Sequence, residues 1–252
     1  MTADSTTARL RSQVLGDAGG LRYHARALRH HRAWAPFHAA VAGWLRGWEA
    51  AAVGGDLVLV GPSAGYALPA GWLGNFRRVL ALEPDPLARF LLRRRPDAGA
   101  LSFSPIDALT GADGLAALAA AAPGSALLFC NVLGQVPAPP GQGWRGLLER
   151  ALADRTWASF HDVFSTERPP DDPSPRGFDR PPPLPDLLGA VWTGGVLEGF
   201  THDTYRMGGD APHAYACWAL APRQHHLVEW HAHQAPGDEG RTPVVAPADR
   251  GG

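Results

Sequence analysis

The chain reads as one α/β domain: a doubly wound, mostly parallel sheet with an antiparallel edge hairpin and an N-terminal helical cap. Three observations predict it. Short runs rich in Leu, Val and Phe recur from residue 56 to 164 without polar alternation, as strands buried on both faces require. Segments of helical length separate them, which is the pattern of successive right-handed βα crossovers. Two further strand-like runs near the carboxyl end are divided only by a Pro-Arg-Gln turn, the signature of a hairpin.

In order, residues 21–52 carry Trp34, Phe37, Val41, Trp44, Leu45 and Trp48 at helical spacing and predict two helices broken near Pro36. The parallel strands follow as DLVLVG (56–61), RVLALE (78–83), ALSFSP (100–105), ALLFCNV (126–132) and WASFHDVF (157–164). DPLARFLLRRR, GLAALAAAA and GWRGLLERALAD supply the helices between them. Residues 166–185 are too proline-rich for a regular element and predict a long exposed loop or lid bordering the site. HAYACWALAP and HHLVEWHAHQ form the hairpin. Residues 1–19 and 235–252 mix small, charged and breaking residues without period and predict flexible tails, leaving a single domain over 20–234.

Composition narrows the function. The chain has 252 residues and a formal net charge of −1, with 23 basic residues against 24 acidic, so no basic field attracts nucleic acid or an anionic membrane surface. Every basic residue is arginine, which excludes lysine Schiff bases, a lysine general base and a P-loop lysine. Neither a secretory signal nor an apolar run long enough to span a bilayer is visible, which predicts a cytoplasmic protein. Cys130 and Cys217 sit in apolar runs and predict buried, reduced thiols.

In an open α/β sheet, ligands bind beyond the carboxyl ends of the strands. The first such end is the loop Gly61-Pro62-Ser63-Ala64-Gly65, whose small residues let a backbone approach a ligand closely. The second strand ends at Glu83, 18 residues after Gly65, where a carboxylate can accept ribose hydroxyls. The neighbouring Asp85 suits the N-cap of the next helix. At the fifth strand end, Ser159, His161 and Asp162 are candidates for acid-base work, although neighbours on a strand point to opposite faces. Asn131 follows the fourth strand, where it is either a turn former or a substrate-facing polar group.

These residues resemble class I S-adenosylmethionine-dependent methyltransferases. LVLVGPSAGY is similar to the family's first motif, VLALEPDP to the second with its ribose-binding acid, FSPIDAL to the third with Asp107 near the adenine, and ALLFCNVLGQ to the fourth. The resemblance spans about residues 55–165. Leu59 stands where the family usually has an acidic residue, and Ser63 where it has its middle glycine. The resemblance implies S-adenosylmethionine as cofactor, held by Gly61, Ser63, Gly65, Glu83, Asp107 and Asn131, and methyl transfer to a small molecule with His161 and Asp162 on the acceptor side. Nine tryptophans and the helices over 21–52 suit an apolar acceptor pocket, a Trp-rich core or a homodimer face.

Other readings remain open. The fold can serve as a binding or scaffold protein without transfer activity. Gly61 to Gly65 also fits G-x-S-x-G, the nucleophile elbow of α/β-hydrolases, with Ser63 as nucleophile and Asp162 followed by His202 or His213 completing the order. Only about 55 residues of strand-poor sequence precede that elbow. Two histidine clusters, His24, His30, His31 and His38 early and His225, His226, His231 and His233 late, raise metal binding, with His231 and His233 on one strand face, but no carboxylate or Cys completes either set within a recognisable motif.

Overall fold

The structure, a computed structural model, describes residues 20–52, 55–111 and 113–236. The tails expected at 1–19 and 235–252 lie outside these residues, apart from Ala235 and Pro236. Two helices, α1 (Gly20–Arg29) and α2 (His31–Ala52), lead into β1 (Asp56–Val60). The βα alternation then runs β2 (Arg78–Leu82), α3 (Pro86–Arg93), β3 (Leu101–Phe103), α4 (Gly114–Ala121), β4 (Ala126–Cys130), α5 (Trp144–Ala151) and β5 (Trp157–Thr166). The remainder is β6 (Arg176–Phe178), α6 (Leu184–Val191), β7 (Phe200–Thr201), β8 (His213–Ala221) and β9 (Gln224–His233).

The strand order is β3-β2-β1-β4-β5-β9-β8-β6, with β7 pairing to the end of β5. β1 to β5 are mutually parallel, and β9 lies antiparallel to β5. This is the doubly wound, mostly parallel sheet with an antiparallel hairpin that the sequence predicts. Alternating strand residues divide the core between two faces. Leu57, Leu59, Leu128 and Phe160 pack with α1, α2 and Leu92 of α3. Val58, Val60, Leu127 and Phe129 pack with α4 and α5. A smaller cluster joins Val163 and Tyr215 to Leu187 and Val191 of α6.

The helical break falls at His30, not near Pro36, which lies inside α2. Proline there removes one intrahelical donor, but the helix is held by what it buries. Trp34 and Phe37 close on Trp218 of β8, with ring centroids 5.1 and 4.9 Å apart, and the Trp34 indole donates to the Leu220 carbonyl at 3.1 Å. The cap is thus mostly a layer on the sheet, with α1 alone reaching the site.

The proline-rich segment also differs from expectation. It contributes β6, which pairs antiparallel with β8 and extends the sheet beyond the hairpin. Arg168 donates to the Thr193 and Gly194 carbonyls and Arg176 to the Ala190 carbonyl. Those bonds fasten the segment to the carboxyl end of α6, while residues 167–175 and 179–183 on either side of β6 have no regular structure and are mostly exposed. Among the described residues no helix is long and apolar enough to cross a membrane.

Trp34 is 1% exposed. Trp34→Ala should cost about 3 to 5 kcal/mol, the range for truncating a buried tryptophan, read as a lowered midpoint in chemical denaturation. A shift worth less than about 1 kcal/mol would show that α2 is not part of the cooperative core.

Candidate active site

The loop after β1 is shaped by its glycines. Gly61 and Gly65 have φ of 64° and 72°, in the left-handed region, and a Cβ on Gly65 would meet Leu92 Cδ1 at 2.7 Å. Ser63 takes φ 52° without a glycine's freedom. Its backbone N–H donates to Glu83 Oε2 at 2.7 Å, while Asp85 N–H donates to Oε1 at 2.9 Å. Glu83 therefore clamps the loop from the tip of β2, facing it rather than solvent. Burial pushes its carboxyl up to about 7, against the two N–H bonds that favour the anion.

Asp85 has the capping role read from the sequence. Its Oδ1 accepts from Leu87 N–H at 2.8 Å at the start of α3. The other oxygen accepts from Gly20 N–H and lies 3.2 Å from His24 Nε2, whose Nδ1 is 2.8 Å from the Tyr66 hydroxyl. These contacts dock α1 against the glycine loop. Asp107 is exposed, and its Oδ1 accepts from Leu109 and Thr110 N–H. It closes a turn after β3.

Beside this loop region a cavity of about 530 Å³ opens beyond β4 and β5. Tyr23, Leu133, Trp144, Phe200, Trp218 and Leu220 supply apolar walls, and Asp162, His202, Thr204, Gln224 and His226 the polar ones. Glu83 and the glycine loop lie outside this lining. Tyr23 joins the two regions: burial raises its phenol, and the charges of Tyr66, Asp162 and Glu83 raise it further.

The polar wall comes from three elements. Asp162 lies on β5 at a register irregularity against β9, His226 on β9, and His202 directly after β7. Asp162 Oδ1 stands 3.3 Å from His226 Nδ1 without hydrogen-bond geometry, and that oxygen has no hydrogen-bond partner. Oδ2 receives the Asn131 amide at 3.3 Å. The Ser165 hydroxyl is 2.8 Å from His202 Nε2 and 3.0 Å from His226 Nδ1. His202 Nδ1 sits 2.9 Å from the Gly134 carbonyl, which can only accept, so Nδ1 carries the proton. Burial holds His202 below its ordinary pKa.

His161 and Asp162, paired as acceptor-side candidates, are kept apart by the alternation of the strand. His161 is 0% exposed. Its Nδ1 is 2.9 Å from Ser159 Oγ, and its Nε2 is 3.1 Å from the Thr204 carbonyl and 3.2 Å from Glu229 Oε1. It lines no part of the cavity. Glu229 also accepts from Arg206 and Met207 N–H and lies 3.6 Å from His213 Nε2, so this network anchors the segment 204–207. Asn131 adopts φ 51°, which suits the turn-former reading, while its amide orients Asp162. His231 and His233 bond the Pro212 and Ala153 carbonyls separately and do not converge. Cys130 and Cys217 are free, and burial raises both thiols, Cys217 to about 12.

Of the predicted residues, the structure brings Gly61, Ser63, Gly65 and Glu83 together on one side and Asn131 and Asp162 on the other. His226 entered only as one of a late cluster of histidines weighed for metal binding, and His202 only as a partner for Ser63. The hydroxyl that meets these histidines is that of Ser165. It and Asp162 both approach His226 Nδ1, so no imidazole stands between acid and hydroxyl as a nucleophilic triad needs.

No protein-family model and no curated protein matches the chain. Among solved structures it is similar to DhpI in complex with S-adenosylhomocysteine, with 16% identity, a TM-score of 0.43 and coverage of 90% of this chain and 97% of that one. It is also similar to the N-methyltransferase NodS of Bradyrhizobium japonicum WM9, in complex with the same ligand, at 12% identity and a TM-score of 0.40 over 92% and 98% of the two chains. The N-terminal domain of EvdMO1 with that ligand bound gives 14% and 0.40 over 77% and 81%.

Glu83 makes stability depend on pH. Its carboxyl rises from 4.5 to about 7 on folding, so between those values the folded chain keeps a proton that the unfolded chain has lost. Stability should fall as pH rises through that window, by on the order of 3 kcal/mol in total at 1.36 kcal/mol per unit. Glu83→Gln, neutral throughout, should lack this loss. Denaturant unfolding of both proteins at pH 5 and pH 8 measures the difference, and parallel behaviour would show that Glu83 is not the group responsible.

Proposed function

We propose that the chain binds S-adenosylmethionine beyond the carboxyl ends of β1 and β2 and transfers its methyl group to a small molecule held in the cavity. One observation carries this reading. The Glu83 carboxylate, bonded to the positive-φ loop after β1, and a cavity lined by Asp162, His202 and His226 beyond β4 and β5 flank the point where strand order reverses between β1 and β4.

The residues present fit the cofactor. Each Glu83 oxygen accepts one N–H and keeps a second lone-pair direction, enough for a ribose diol. Gly61, Ser63 and Gly65 give close approach, with Asp107 and Asn131 beyond β3 and β4. When bound, the cofactor supplies a methyl group on a sulfonium, an electrophile that needs no acid catalyst. The protein's work is then placement and proton handling.

The apolar walls exclude water from the acceptor, and the wall of Asp162, His202 and His226 faces its nucleophilic atom. This wall would take the N–H or O–H proton that the acceptor's nucleophilic atom loses on gaining the methyl group, with S-adenosylhomocysteine as the leaving group. His161 we assign a positioning role, holding the segment after His202 through the Thr204 carbonyl.

Calorimetric titration with S-adenosylhomocysteine tests the cofactor site. One equivalent should bind, and Glu83→Ala should weaken it by roughly 1.5 to 3 kcal/mol, as for a hydrogen bond to a charged group. No binding to a folded protein overturns the reading. Transfer is tested by following labelled methyl from S-adenosylmethionine into a panel of small acceptors. His202→Ala should lower turnover on the order of 100-fold with S-adenosylhomocysteine affinity nearly unchanged. Ser63→Gly should keep activity, and covalent labelling of Ser63 by a fluorophosphonate would favour a hydrolase instead.

A further inference from the structure

We propose that Asp162, His202 and His226 form a mononuclear site for a divalent transition metal, open to the cavity. One donor atom from each lies within 4.8 Å of the other two. Donors on one ion with bonds of about 2.1 Å lie roughly 3.4 to 3.6 Å apart at tetrahedral to trigonal angles, so rotamer adjustments of up to about an ångström close the set.

The surroundings are prepared for such an ion. The Asp162 side chain is 3% exposed, yet its Oδ1 has no hydrogen-bond partner, a costly arrangement unless something else satisfies it. The Asn131 amide occupies the opposite oxygen, which turns Oδ1 toward the histidines. The Gly134 carbonyl takes the His202 Nδ1 proton and leaves Nε2 with a lone pair, as in a histidine whose far nitrogen is held by a carbonyl while the near one ligates. The Ser165 hydroxyl meets that Nε2 and also His226 Nδ1; an ion would displace only this neutral hydroxyl from the two nitrogens.

Two imidazole nitrogens and one carboxylate oxygen suit Zn²⁺, Fe²⁺ or Co²⁺, whereas Mg²⁺ and Ca²⁺ prefer all-oxygen sets. Three protein ligands leave a coordination position vacant, and all three side chains line the cavity. That position would take an oxygen or nitrogen donor of the acceptor, with the proton lost from that atom; this last role rests on the methyl-transfer reading, and cation binding does not.

The test uses the full chain, stripped with a chelator and titrated with Zn²⁺ alone, without any adenosyl ligand. One equivalent should bind and raise the thermal unfolding midpoint. His202→Ala and Asp162→Asn should each weaken binding on the order of 100-fold, while His233→Ala should not. Co²⁺ should give visible d–d absorption that His202→Ala abolishes. Circular dichroism checks each variant's fold; His202 is half-buried on a loop, so its variant keeps the test decisive should a strand substitution unfold the protein. Absence of stoichiometric Zn²⁺ binding, or binding unchanged in His202→Ala, overturns the proposal. Binding of Zn²⁺ without S-adenosylhomocysteine, or the reverse, separates its fate from that of the methyl-transfer reading.

Discussion

β5 pairs antiparallel with β9 along almost its entire length, from Trp157 opposite His233 to Thr166 opposite His225, with one irregularity between Asp162 and Phe164. That pairing brings Asp162 beside His226, residues 64 positions apart in sequence. It also leaves the end of β5 long enough to receive β7, where Phe164 faces Thr201 and His202 N–H donates to the Val163 carbonyl at 3.0 Å. Asp162 and His226 are therefore brought together by one ladder, and His202 is set against it by the bond to the Val163 carbonyl. A one-residue slip of β9 would turn His226 to the other face.

Behind the same ladder lies the buried pair of His161 and Glu229, directly opposite one another in the register. Burial alone would raise the Glu229 carboxyl. The hydrogen bond from His161, the nearby His161 and His213 and the N–H of Arg206 hold it below its ordinary value. A buried carboxylate so fully bonded gains little net energy over an apolar core. What it does specify is geometry: Glu229 fixes the backbone at Arg206 and Met207, and His161 fixes the Thr204 carbonyl, which together set where the segment carrying His202 can lie.

Much of this was legible in the residues. The strands β1 to β5 are apolar runs buried on both faces, and such runs leave few alternatives. Asp85 was separable from Glu83 because capping needs a carboxylate directly before the helix. The break at His30 was misplaced because proline's lost donor was weighed without the tryptophan face that holds α2. β6 was hidden because three residues, Arg176–Phe178, give no pattern of their own among prolines. The acceptor wall was out of reach for another reason: Asp162, His202 and His226 share no spacing, and only the ladder juxtaposes them. Alternation showed that His161 and Asp162 face opposite ways, but which face opens on a cavity depends on the helices and loops that cover it.

Three non-glycine residues among those described have positive φ: Ser63, Asn131 and Arg206. Each costs on the order of 1 kcal/mol relative to a relaxed conformation, and each is held by a bond to a buried carboxylate. Ser63 N–H meets Glu83, the Asn131 amide meets Asp162, and Arg206 N–H meets Glu229. Backbone strain and carboxylate desolvation thus occur at the same three places, and one hydrogen bond at each offsets part of both. Two of the three, Ser63 and Asn131, lie within three residues of the strand ends that flank the reversal of strand order, where an open α/β sheet binds its ligands. A sequence selected for stability alone would relax these positions with glycine and neutral partners; retaining both costs together is expected where a site must be held in shape before its ligand arrives.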